Sequence, residues 1–150
     1  MSFQWRQKDG RVKTHLASAF GNAAVRCGFT VRYHRTSRLL HTLTQVRSDG
    51  SLTDTLRSLA KCSLLVLDDW MRDAISIQDA QNILEVLDDR FGNTATLIAT
   101  QVPINEWHRR IPDPTLADAI LDRLVHNSHR VELKGESQRK LRAKRNMANT

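Results

Sequence analysis

The chain has 150 residues, enough for one ordinary domain around a single core and too few for two independent ones. With 40% hydrophobic and 26% charged residues it is too apolar to stay unfolded. It also has neither the roughly 18 consecutive apolar residues of a membrane span nor a signal-like segment in MSFQWRQKDGRVK, so a cytoplasmic protein without a membrane partner is expected. A formal charge of +7 points to phosphate-rich partners without separating DNA from RNA, while Cys27 and Cys62, far apart in apolar stretches, exclude a disulfide framework.

In chain order, Leu16, Ala17, Phe20, Ala23, Ala24 and Cys27 recur at helical spacing, and Gly28 stands where a helix end favours glycine. Thr30 to His34 predicts a strand. Leu39, Leu40, Leu43 and Val46 mark a second helix broken at Asp49-Gly50, and Leu52, Leu56 and Leu59 a short third one. Leu64 to Leu67 is a continuous apolar run ending in two aspartates, as expected of a parallel strand covered on both faces. Ile77, Ala80, Leu84, Leu87 and Phe91 predict a helix that stops at Gly92-Asn93, followed by a buried strand over residues 95–99. A loop carrying Pro103, Pro112 and Pro114 leads to a helix around residues 116–125 and a last strand over residues 130–133. Strands alternate with helices, so a mainly parallel α/β sheet is expected, with a core over residues 1–134 and a basic C-terminal tail over 135–150.

Open parallel sheets bind ligands beyond the carboxyl ends of their strands, which singles out Asp68 and Asp69. In a phosphoryl-transfer site the first acid holds Mg²⁺ and the second orients the attacking water; alternatively both solvate a strand end. Gly10, Lys13 and Thr14 precede the first helix in the order a phosphate loop uses: glycine for close backbone approach, Lys for the outer phosphates, a hydroxyl for Mg²⁺. The strict GxxxxGK[ST] pattern is absent, because Gln7 and Val12 occupy its two glycine positions. Gln101 ends a buried strand, where its amide can reach a γ-phosphate or simply terminate the strand. Arg123 is either an arginine finger or a surface partner of Asp122 or Asp118. His126 and His129 lack a third ligand, so no metal site is assigned to them. Arg139, Lys140, Arg142, Lys144 and Arg145 form a basic run suited to DNA phosphates or to solvent.

The segments KTHLASAF, LLVLDDW, ILEVLDDRFG, TQVPINEWH and DPTLADAILDRLVHNSHRVELKGES, in this order, resemble the IstB-like transposition helper ATPases from Lys13 to about Leu141. That resemblance implies a three-layer P-loop NTPase core of the AAA+ kind, ATP with Mg²⁺, self-assembly on DNA and a cognate transposase as partner. It also implies roles. Gly10, Lys13 and Thr14 match the phosphate loop, Thr14 and Asp68 the metal site, Asp69 the catalytic acid, Gln101 the polar sensor and Arg123 the finger.

The family pattern also places an apolar strand and a glycine-rich loop ahead of Lys13, where this chain offers only Phe3 and Trp5, and a helical DNA-binding region before those. The first strand and phosphate loop are therefore expected to be incomplete, the chain N-terminally shortened, and ATP binding and hydrolysis impaired. Val12 is expected to resist a positive φ, and Met71 stands where the family has glycine after the Trp of LDDW. Two other readings share these residues: a non-catalytic DNA- or partner-binding remnant, and a DnaC-like helicase loader.

Overall fold

The computed structural model describes residues 2–6, 10–126 and 128–133, with side chains described for 13–126 and 128–133. Five strands, β1 (Ser2–Arg6), β2 (Val31–Arg35), β3 (Leu64–Asp68), β4 (Ala95–Thr100) and β5 (Ser128–Glu132), form one sheet in the order β2-β3-β4-β1-β5. Every pairing is parallel, as the alternation of strand and helix predicts.

The position expected to be incomplete holds β1. Its five residues pair with both neighbours, Phe3 opposite Leu97 and His129, Trp5 opposite Ala99 and Val131. A strand inside a sheet draws on ladder bonds from both sides, so this short, weakly apolar segment closes the sheet that links β4 to β5. Residues 7–9, which join β1 to α1 and include Gln7 of the loop pattern, lie outside the described residues.

The continuous apolar runs of β3 and β4 serve two faces at once. Leu65, Leu67 and Ile98 enter the larger core, and Val66, Leu97 and Ala99 the smaller one, so alternate side chains supply opposite layers. Helix α1 (Gly10–Arg26) covers the smaller core through Leu16 and Ala17. The larger core is covered by α2 (Thr36–Asp49), α3 (Leu52–Lys61), α4 (Ile77–Arg90), α5 (Ile104–Arg110) and α6 (Pro114–Val125). The result is a three-layer α/β sandwich.

Helix ends follow local chemistry. Helix α2 stops at Gly50, whose φ of 84° is free of the Cβ penalty. Ser76 and Asp79 form a reciprocal capping box on α4, with bonds of 3.0 and 3.2 Å. Asp113 accepts from the Leu116 amide ahead of Pro114, which starts α6. Helix α5 lies inside the segment read from sequence as a plain loop: its seven residues bury Trp107, whose indole donates to the Val102 carbonyl at 2.9 Å and meets Trp70 edge to face at 5.8 Å.

Candidate functional site

Strands β3 and β4 end side by side, and the start of α1 comes to the same edge. Lys13 is only 2% exposed, and its ammonium donates to the carbonyl of Thr100 at the end of β4. The next residue, Thr14, donates its hydroxyl to Asp68 Oδ2 at 2.8 Å. One turn of helix thus delivers an ammonium and a hydroxyl to the carboxyl ends of two central strands.

Asp68 is 1% exposed and held from several sides. Its Oδ2 also accepts from the Tyr33 phenol, its Oδ1 accepts from the Asp69 amide at 2.9 Å, and its carbonyl accepts from Thr36 Oγ1 at 2.9 Å. Partial burial and this bond raise the Tyr33 pKa above its ordinary value, so the phenol stays a donor across the physiological range. A hydroxyl on a cleft wall donating to the carboxylate behind it is a donor set suited to Mg²⁺, which favours oxygen ligands and retains several of its waters.

Asp69 leaves the strand with φ 53°, in the left-handed region that Asp tolerates better than most residues. The turn points its carboxylate toward solvent, where Arg35 Nε stands 3.7 Å from Oδ2. Met71 has φ 52° and is buried, so the position where the family resemblance implies glycine does need a left-handed backbone. Strain of this kind persists only where surrounding structure imposes it. Here Trp70 is the anchor: its amide donates to the Ala99 carbonyl at 3.0 Å and its carbonyl accepts from Thr100 Oγ1 at 2.7 Å.

In front of these groups lies a cleft of about 590 Å³ lined by Thr14, Arg35, Asp69, Trp70, Arg72, Gln101 and Val102. A second groove of about 360 Å³ continues past Asp69 between α2 and residues 71–79. The first is within the size range of small-molecule sites, with polar groups converging at one end.

The structure thus brings together Lys13 and Thr14 from α1, Asp68 and Asp69 from the end of β3 and Gln101 from the end of β4 at one edge of the sheet. Gly10 begins α1. Val12 lies within α1, so its backbone is helical and the expected conflict with a positive φ does not arise. Arg123 is not part of this edge. It sits in α6, bonded to Asp88 at 2.8 Å and Asp122 at 3.0 Å and stacked 5.3 Å from the centroid of Phe91. Arg139, Lys140, Arg142, Lys144 and Arg145 lie outside the described residues. Among the described residues no cluster of three or more His, Cys, Asp and Glu side chains could hold a metal ion. No helix among them is long and apolar enough to cross a membrane.

Sequence reasoning passed over Tyr33, Arg35 and Arg72. Tyr33 and Arg35 close β2, and reading the carboxyl end of that strand with the same attention as β3 would have found them.

The family profile described as IstB-like ATP binding protein matches residues 8–147. The chain belongs to the IstB-like ATP-binding proteins. It is 48% identical over 130 residues to the insertion sequence ATP-binding protein y4uH of Sinorhizobium fredii, covering 87% of this chain and 52% of that one. It is 33% identical over 127 residues to the insertion sequence IS21 ATP-binding protein of Pseudomonas aeruginosa, covering 85% and 48%. The chain therefore spans about half the length of the curated relatives it matches. Among solved structures, the DnaC helicase loader superposes with a TM-score of 0.73 at 21% identity, covering 89% of this chain and 77% of that one. AMPPCP-bound DnaA from Aquifex aeolicus also gives 0.73, at 16% identity, covering 98% and 44%. These likenesses show the fold, a three-layer α/β core around a parallel sheet shared with DnaC and DnaA, in agreement with the sequence expectation.

Proposed function

We propose that this IstB-like chain is a Mg²⁺·ATP-binding helper of insertion-sequence DNA transposition, with slow hydrolysis. The observation that carries the reading is the meeting of Lys13, Thr14 and Asp68 at the carboxyl ends of β3 and β4, behind a cleft that Thr14 lines. In this reading Lys13 leaves the Thr100 carbonyl to meet the outer phosphates, and Thr14 and Asp68 hold Mg²⁺. Bound there, Mg²⁺ neutralises phosphate charge and aligns the γ-phosphoryl group. Asp69 accepts the proton of a water attacking the γ-phosphorus as the bond to the bridging oxygen breaks and ADP departs. Gln101, on the cleft wall, orients that water or the γ-phosphate.

Turnover is slow in this proposal because Gln7 and Val12 replace the glycines that let backbone amides close on phosphate. Arg123 serves a neighbouring copy: in an oligomer on DNA it exchanges Asp88 and Asp122 for a phosphate across the interface. The basic residues Arg139, Lys140, Arg142, Lys144 and Arg145 and the net charge of +7 support contact with DNA phosphates, and the insertion-sequence relatives support a transposase as partner.

Phosphate release from ATP, measured with and without DNA, tests this proposal. Asp69→Asn is expected to lower release about a hundredfold or more while nucleotide affinity is kept, since general-base assistance is worth about 10²–10⁴-fold. Arg123→Ala is expected to lower only the DNA-stimulated part. Release unaffected by Asp69→Asn contradicts the catalytic assignment.

A further inference from the structure

Tyr33 has no part in the chemistry proposed above, yet it is bonded to the carboxylate at its centre. Strand β2 runs beside β3 with Tyr33 opposite Val66 and Arg35 opposite Asp68. The Tyr33 side chain therefore reaches along the strand direction by two residues to touch Asp68, a length that a phenol spans and a shorter hydroxyl does not.

An ionised carboxylate offers about four acceptor positions. Among the described residues, Oδ2 takes the Thr14 and Tyr33 hydroxyls, and Oδ1 takes the Asp69 amide. The fourth position, on Oδ1, is left for a metal-bound water. Thr14 can keep donating to Asp68 while its own lone pairs face a cation, and Tyr33 approaches without using that fourth position. Neither bond has to break for Mg²⁺ to bind. We infer that Tyr33 is a positioning residue for Mg²⁺, holding the Asp68 carboxylate in the one rotation that presents its remaining acceptor to the metal's water. This inference rests on the nucleotide-site reading.

The physical need for such a residue is clear. The terminal torsion of an aspartate is broad and nearly two-fold, so a carboxylate tied at two points retains a range of orientations that a third tie removes. Outer-shell partners of this kind commonly change metal affinity by about 10–100-fold. Tyr33 is the only tyrosine in the chain, and it is 40% exposed on an edge strand, so Tyr33→Phe deletes one hydroxyl without disturbing packed core.

The test is the affinity of a fluorescent ATP analogue measured across a Mg²⁺ series and in EDTA, for the native chain, Tyr33→Phe, Asp68→Asn and the double variant. Tyr33→Phe is expected to need about tenfold more Mg²⁺ for half-maximal binding, to match the native chain in EDTA, and to have no further effect on an Asp68→Asn background. Equal Mg²⁺ midpoints for the native chain and Tyr33→Phe overturn the inference and leave the nucleotide-site reading standing. The same loss in EDTA, or an undiminished loss on the Asp68→Asn background, also overturns it, by showing a role that does not pass through Asp68. No Mg²⁺ dependence in the native chain overturns both.

Discussion

The two ends of the same sheet solve opposite problems. At the amino ends of β3 and β4 a single guanidinium, Arg90, is 1% exposed and donates to the carbonyls of Leu59, Cys62 and Ala95 and to Thr96 Oγ1. At the carboxyl ends Asp69 lines a cleft with the buried Lys13 and Asp68 close behind Thr14, and the turn that follows β3 holds two non-glycine residues at positive φ. The amino edge spends its polar groups on one another. The carboxyl edge bonds its buried groups as well, but leaves Thr14, Asp69 and Gln101 on a cleft wall beside a strained turn. Burial lowers the Arg90 pKa from its ordinary value, yet the guanidinium stays charged because arginine begins so far above neutrality. The lesson is that charge alone does not locate a site: the most buried cation in the described chain stitches α3, α4 and β4 together, and what marks the other edge is the cleft beside its charged groups.

The contrast predicts that breaking the amino edge costs stability and spares nucleotide binding. Arg90→Ala leaves three carbonyls and a hydroxyl without their donor, and is expected to lose about 3–5 kcal/mol of unfolding free energy in urea. Arg90→Lys should recover less than half of that, since an ammonium cannot span the four acceptors that the planar fork reaches. A loss below about 1 kcal/mol for Arg90→Ala would show that water replaces the guanidinium at little cost.

At the carboxyl edge the comparison is sharpened by Met71, which pairs a buried side chain with a left-handed backbone. Removing the side chain costs packing in Met71→Ala and in Met71→Gly alike, but only glycine relieves the backbone. Met71→Gly is therefore expected to be more stable than Met71→Ala by about 1 kcal/mol, the reverse of the usual order, in matched denaturation curves. The usual order would mean that no strain is stored there.

The smallest effect concerns His34 in β2, whose pKa is lowered below 6.5 first by burial and then by Arg32. A group whose folded pKa is depressed binds fewer protons folded than unfolded, so its neutral form supports the fold above about pH 6.5 and that support fades as pH falls toward the folded value. Denaturation at pH 7.5 and 5.5 should show a smaller loss on acidification for His34→Gln than for the native chain. An identical loss would remove His34 as a source of acid sensitivity.

Much of this division was legible in the sequence. Residues 64–69 announced a doubly covered strand with an acidic end, because a continuous apolar run followed by two carboxylates suits few other environments. Lys13 and Thr14 were legible as types in order, though not as partners of Thr100 and Asp68, which lie 87 and 54 residues away. What stayed hidden depends on register and packing. Strand β1 carries too few apolar residues to declare itself, and takes its place because β4 and β5 leave a gap that any extended segment's backbone can fill. Helix α5 sits between Pro103 and Pro112, where punctuation suggested a loop, and its order comes from Trp107 packing on Trp70. Arg90 stands in the last turn of α4, where a cation is ordinary, so nothing in its spacing marks it as buried. Tyr33 needed the β2 to β3 register before its phenol could be matched to Asp68.

The central claim is that the carboxyl edge is a Mg²⁺·nucleotide site, and equilibrium binding of a fluorescent ATP analogue to the native chain, Lys13→Ala and Asp68→Asn, each with Mg²⁺ and with EDTA, tests it most directly. The account predicts binding by the native chain that strengthens with Mg²⁺, a loss in Lys13→Ala under both conditions, and a loss in Asp68→Asn confined to the Mg²⁺ condition. Nucleotide binding that is the same in all three folded proteins, or absent from the native chain, would contradict it.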